Sequence, residues 1–276
     1  MNGEFLQSMA QASRERVAQA RSQRPDPVLL ALARSAPAAP PLRLSNLGFD
    51  LIAEVKLRSP ALGALDQGGE DIAARANDYA AAGAAAISVL TEPTRFDGAL
   101  SHLEQVVRAL RLPVPVMRKD FLVDPYQVYE ARAAGAAGIL VILRMLAQGE
   151  IAALLDAAVE LRLFVLLEAF DEPDLGLAAS LVQQYRARVN LLVGVNCRDL
   201  ATLQVVPGRL EALARWLPPG VPRVAESGVQ NAADAARLAA AGYNVALVGS
   251  ALMRAGDRLG LARSLLASGR QGRPCG

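Results

Sequence analysis

Of the 29 Lys and Arg residues in this 276-residue chain, only Lys56 and Lys119 are lysines. Arginine replaces lysine wherever a positive charge is all that is needed. It does not replace it where a proton must leave. Both lysines fall at the end of a short apolar run with acids close by: Glu54-Val55-Lys56 and Arg118-Lys119-Asp120. Further polar residues close similar runs, namely Glu168, Asn196-Cys197-Arg198, Glu226-Ser227-Gly228 and Gly249-Ser250. Ammonium groups beside carboxylates are the parts needed for general acid–base chemistry.

Other chemistries are excluded by count. With one histidine, His102, and two cysteines, no multi-His or Cys-rich metal site can be built. A Ser-His-Asp or Cys-His mechanism would run through His102 alone, which sits in a helical stretch and reads as a helix-surface residue. The formal net charge of +2 gives no bulk attraction to nucleic acid or to an anionic membrane. The first residues have no apolar stretch of the secretory kind, and the longest apolar runs are too short to span a bilayer. A cytoplasmic protein is expected. It would act on a small molecule, as a monomer or weak homo-oligomer.

The elements that must position these groups follow from periodicity. Eight apolar runs rich in Val, Ile and Leu begin at residues 51, 86, 114, 138, 164, 191, 222 and 244. Ala/Leu-rich helical stretches fill the gaps, and Gly83, Gly135 and Gly242 sit where helix C-caps belong. Strands apolar on both faces and alternating with helices predict a parallel sheet. Eight such units in about 200 residues predict a closed (β/α)8 TIM barrel. In that fold the active site lies at the C-terminal ends of the strands, which is where the polar residues fall. The expected organisation is a helical extension at 1–50, a barrel at 51–266 and a flexible tail at 267–276. The extension is read as a helix to about Gln23, a break at residues 24–27 and a second helix over 28–34.

Individual side chains divide between chemistry and packing. Gly228, Gly249 and Ser250 predict a phosphate site, with a helix starting near Ala251 adding its N-terminal dipole. Cys197 should point away from its neighbours by strand alternation. Trp216, Leu217, Tyr126 and Tyr129 read as packing.

The motifs also resemble those of the indole-3-glycerol phosphate synthase family. The matching segments are IAEVKLRSP (52–60), AISVLTEPTRFDGA (86–99), PVMRKDFLVDPYQVYEARAAGA (115–136), GVNCRDL (194–200), VAESGV (224–229) and ALVGSALM (246–253). The resemblance implies ring closure of 1-(2-carboxyphenylamino)-1-deoxyribulose 5-phosphate, with loss of CO2 and water and no cofactor or metal. It implies Lys119 as the general acid, its pKa pulled down by neighbouring cations and by desolvation. It makes Glu168 and Lys56 the main acid–base candidates for the dehydration, with Glu54 in support. Asn196 and Glu226 would bind sugar hydroxyls or orient the lysines, and Arg198 would hold a carboxylate or Asn196. Lys56, Ser59, Ser227, Gly228, Gly249 and Ser250 would serve the phosphorylated end, and Phe96 and Phe121 the anthranilate ring. The N-terminal extension would lie over the barrel mouth. Ala61-Leu62 and Phe170 depart from the family's usual Ser-Lys and His. The rivals are a sugar-phosphate isomerase, a Schiff-base aldolase, a paralogue acting on a related indole precursor, and a barrel that binds a phosphorylated ligand without turnover.

Overall fold

Alternation along the strands decides which residues reach the centre of the molecule. In the computed structural model, residues 4–65, 71–199 and 202–272 are described. Eight parallel strands close on themselves: β1 (Asp50–Val55), β2 (Ala86–Leu90), β3 (Val116–Lys119), β4 (Gly138–Ile142), β5 (Phe164–Ala169), β6 (Leu191–Asn196), β7 (Arg223–Glu226) and β8 (Val245–Val248). β1 pairs with β8 on one side and β2 on the other, with Ile52 opposite Leu247 and Glu54 opposite Ser88. The apolar runs are continuous because both faces are covered. Leu51, Ala53, Ile87, Val89, Val165 and Val193 pack outward with the helices. Ile52, Met117, Leu166, Leu192 and Val224 fill the barrel interior. Successive side chains alternate faces, so the residues two places further on also point inward. Those residues are Glu54, Lys119, Glu168, Gly194 and Glu226.

The helical layer follows local signals. Asp71 caps α3 (Ile72–Ala82), accepting from the amides of Ala73 and Ala74, and Gly83 ends it in the left-handed region at φ 98°. α4 (Pro93–Phe96) is capped by Glu92, and α5 (Leu100–Ala109) carries the half-buried His102. α6 (Pro125–Ala133), α7 (Gln148–Glu160), α8 (Glu172–Tyr185), α9 (Arg209–Leu213) and α10 (Ala232–Ala240) complete the ring. After β8 come α11 (Ser250–Arg254) and α12 (Arg258–Gln271).

Two helices precede the barrel. α1 (Glu4–Gln23) buries Leu6, Met9, Ala10, Ser13 and Val17. α2 (Asp26–Ser35) begins two residues before the expected start, because Asp26 and Pro27 fit the first turn, where an amide would go unpaired. The predicted tail is corrected in its first part: α12 runs to Gln271. Gly269 lies so close to Phe49 that an added Cβ would meet the ring at 2.1 Å, and Arg270 donates to the Phe49 carbonyl at 3.1 Å. The last four residues lie outside the described ones. Trp216 is 46% exposed beside Arg215, contrary to the packing reading, whereas Leu217 is buried. No helix among the described residues is long and apolar enough to cross a membrane.

Candidate active site

A cavity of about 390 Å³ opens at the C-terminal ends of the strands. Every residue assigned above to acid–base chemistry, the phosphorylated end or the ring slot lines it. His102 and Cys197 do not. Cys197 packs outward, and burial pushes its thiol pKa up to about 11.

The two lysines and three glutamates form one connected cluster. Lys56 Nζ lies 2.7 Å from Glu54 Oε1. Lys119 Nζ lies 3.9 Å from Glu54 Oε2 and 3.8 Å from Glu168 Oε2. Asn196 Nδ2 donates to Glu168 Oε1 at 3.3 Å. Glu226 stands beside Glu168, and neither of its oxygens finds a donor among the described residues.

Burial and charge set the protonation states. Burial raises the pKa of Glu54, but Lys56 and Lys119 outweigh it and hold the carboxyl below its ordinary value. Burial lowers that of Lys119, but Glu168, Glu54 and Glu226 outweigh it and raise the ammonium. The expected depression of Lys119 is therefore corrected: the carboxylates of Glu168, Glu54 and Glu226 dominate its surroundings. Burial, then the charge of Glu168, push Glu226 well above the usual carboxyl range. The neutral form of Glu226 is thus favoured over an ordinary carboxyl's, because its charge would be buried beside that of Glu168.

Glycines make room for this cluster. A Cβ on Gly194 would sit 2.1 Å from Glu226 Oε1, and one on Gly249 would sit 2.2 Å from Glu54 Oε1. Gly194 was absent from the sequence-based candidates. Its signal is a lone glycine inside an apolar strand, which marks a close approach by another group. Gly249, expected at the phosphorylated end, lines the cavity and leaves room for Glu54. Ser227 and Gly228 adopt consecutive left-handed conformations at φ 67° and 75°, forming a strained turn on the cavity wall.

Arg198 differs from expectation. Its side chain donates to the Leu203 carbonyl and braces the following turn. Asn196 is held instead by the Arg198 main-chain N–H, which donates to Asn196 Oδ1 at 3.0 Å. Asp120, Arg254 and the α1 residues Phe5 and Leu6 also line the cavity. Asp120 belongs to the Arg118-Lys119-Asp120 run, which marks it as a rim residue without giving it a role; Arg254 lies just beyond the last matching motif, and Phe5 and Leu6 lie far away in the chain.

A family model described as indole-3-glycerol phosphate synthase matches residues 6–265. The chain belongs to the indole-3-glycerol phosphate synthase family. Similar members include the indole-3-glycerol phosphate synthase of Leifsonia xyli subsp. xyli, 44% identical over 91% of this chain and 94% of that protein. That of Mycobacteroides abscessus is 42% identical over 82% of this chain and 79% of that protein. Outside the indole-3-glycerol phosphate synthase family, the solved 3-hexulose-6-phosphate synthase from Salmonella typhimurium superposes with a TM-score of 0.63 at 16% identity. It covers 82% of this chain and all of that one, and shows the shared barrel fold alone.

Proposed function

We propose that the lysine–glutamate cluster carries out the family's ring closure with Lys119 as the first proton donor. The activity is indole-3-glycerol phosphate synthase, a carboxy-lyase reaction of tryptophan biosynthesis. The observation that carries the residue assignment is the placement of Lys119 between Glu54 and Glu168 in one cavity.

The substrate, 1-(2-carboxyphenylamino)-1-deoxyribulose 5-phosphate, would lie with its phosphate at Ser59, Ser227-Gly228 and Gly249-Ser250. The first-turn amides of α11 have no intrahelical partner and favour an anion. Its ring would enter the apolar slot of Phe96 and Phe121, whose centroids are 6.1 Å apart. The ring carbon bearing the carboxylate attacks the C2 carbonyl carbon. Lys119 gives its proton to the oxygen as that oxygen becomes a hydroxyl. The C–CO2 bond then breaks, and its electron pair restores the aromatic ring. In the dehydration Glu168 takes a proton from the substrate's C1 methylene, and that C–H electron pair forms the C1–C2 double bond of the indole ring. Lys56 protonates the departing hydroxyl, and water leaves.

Glu54 pairs with both ammonium groups and orients them. Glu226, whose carboxyl is pushed up by burial and by the charge of Glu168, stands beside the base. The test is to incubate the purified protein with this substrate and measure indole fluorescence and released CO2 together. Equal yields are expected. A barrel that bound the substrate without forming either product would overturn the reading.

A further inference from the structure

The ring slot is built from three separate elements. Phe121 follows β3, Phe96 ends α4, and Phe5 comes from α1. Phe5 meets Phe121 edge-on, with centroids 6.0 Å apart and planes at 77°. Phe96 lies tilted against Phe121 at 6.1 Å. Three rings on three elements hold a defined gap only if the elements are tied together.

One guanidinium provides that tie. Arg16, on α1, lies with NH2 3.0 Å from Asp120 Oδ1 and NH1 3.5 Å from Glu92 Oε1. Both acids are buried, with side chains 1% and 0% exposed. Asp120 lies between Lys119 and Phe121 in the chain. It accepts from the Phe121 main-chain N–H at 2.8 Å, the Thr91 hydroxyl at 2.7 Å and Arg118 at 3.2 Å. Glu92 caps α4, the helix that ends in Phe96, accepting from the amides of Thr94 and Arg95 at 2.9 and 2.7 Å. The planar fork of an arginine can bind two acids at once, whereas an ammonium acts as a point charge.

We infer that Arg16 is a positioning residue for the ring end of the substrate, locking α1, the Glu92 cap and the Asp120 turn into one aromatic slot. The inference rests on the proposed binding mode, in which that slot takes the substrate's carboxyphenyl ring. Arg16 does not itself line the cavity. It therefore acts through Phe5, Phe96 and Phe121. The phosphate end, built on β1, β7 and β8, has no share in this tie.

The separation of the two ends supplies the test. The full-length Arg16→Gln variant is compared with wild type using two competitive probes, N-methylanthranilate for the ring end and inorganic phosphate for the other. The variant is expected to raise KM about tenfold and weaken N-methylanthranilate inhibition by a similar factor, while phosphate inhibition stays within about twofold. Arg16→Lys, which keeps the charge but loses the fork, should fall between the two and serves as the test if Arg16→Gln does not fold. Equal weakening of both probes would mean general loosening of the barrel mouth and would overturn the inference. Unchanged binding of both would overturn it too. Absence of indole formation by the wild-type protein would instead sink the functional reading, so the two failures are distinct.

Discussion

Lys119 and Glu54 face each other across the barrel mouth, 3.9 Å apart, while Glu54 also pairs with Lys56 at 2.7 Å. One carboxylate thus holds both lysines of the protein. The pairing favours the charged form of Lys119, because the surrounding carboxylates raise its pKa despite burial. Lys119→Arg preserves the charge but not the transferable proton. Its kcat is expected to fall by about 100-fold or more, nearly as far as in Lys119→Ala, the usual worth of general acid catalysis. Single-turnover indole formation measures this. Near-normal turnover in the arginine variant would reduce Lys119 to an electrostatic anchor.

Glu226 makes stability depend on pH. Its folded pKa lies well above the ordinary 4.5, so between those values the folded state holds a proton that the unfolded state has lost. Unfolding then releases a proton, and the group costs stability increasingly as pH rises through that window. Glu226→Gln keeps a neutral side chain of similar size and removes this term. Denaturant unfolding of both proteins from about pH 4.5 to about pH 7 should show the variant gaining on wild type as pH rises, by up to ~1.4 kcal/mol per pH unit. A gap that stayed constant with pH would show that Glu226 ionises normally.

Gly194 and Gly249 test whether space limits the cluster. An alanine Cβ at either position would run into a carboxylate of the cluster at close to 2 Å, 2.1 Å from Glu226 and 2.2 Å from Glu54. Each substitution should cost ~1–3 kcal/mol of stability, as overpacking does. It should also lower kcat by up to ~100-fold, the scale of an ångström's misplacement. Removing the obstacle in Gly194→Ala/Glu226→Ala should restore the melting temperature but not turnover. A double variant as unstable as Gly194→Ala would point to a different cause.

Gly269 carries a prediction away from the chemistry. Gly269→Ala places a methyl against the buried Phe49 ring and should destabilise the protein by ~1–3 kcal/mol. Turnover at low temperature should stay unchanged. A melting temperature equal to wild type would mean that α12 yields without loss.

The barrel is legible in the sequence because its strands are apolar on both faces and end in polar residues, leaving little ambiguity of period. The rim positions of Glu54, Lys119, Glu168 and Glu226 follow from the same alternation, since each lies two residues beyond an interior apolar side chain. Protonation states are not legible in this way. The Lys119 pKa depends on how many carboxylates converge on it from other strands, and the chain order does not give those distances. Arg198 shows the same limit: its motif places it at the rim, but its side chain turns to the Leu203 carbonyl. Arg16 and Asp120 are separated by more than a hundred residues, so no local pattern joins them. The resemblance to the family supplied roles for residues that spacing alone left open.

The pairing of β1 with β8 has a consequence for biosynthesis. Glu54 lies in the first strand and Lys56 directly follows it, while Gly249, whose missing side chain leaves them room, directly follows the last. A nascent chain still on the ribosome holds the Glu54–Lys56 pair with no wall beside it. The cavity is completed only when the final strand emerges and the sheet closes. A chain truncated before β8 should therefore bind no substrate, however much of the helical layer it forms.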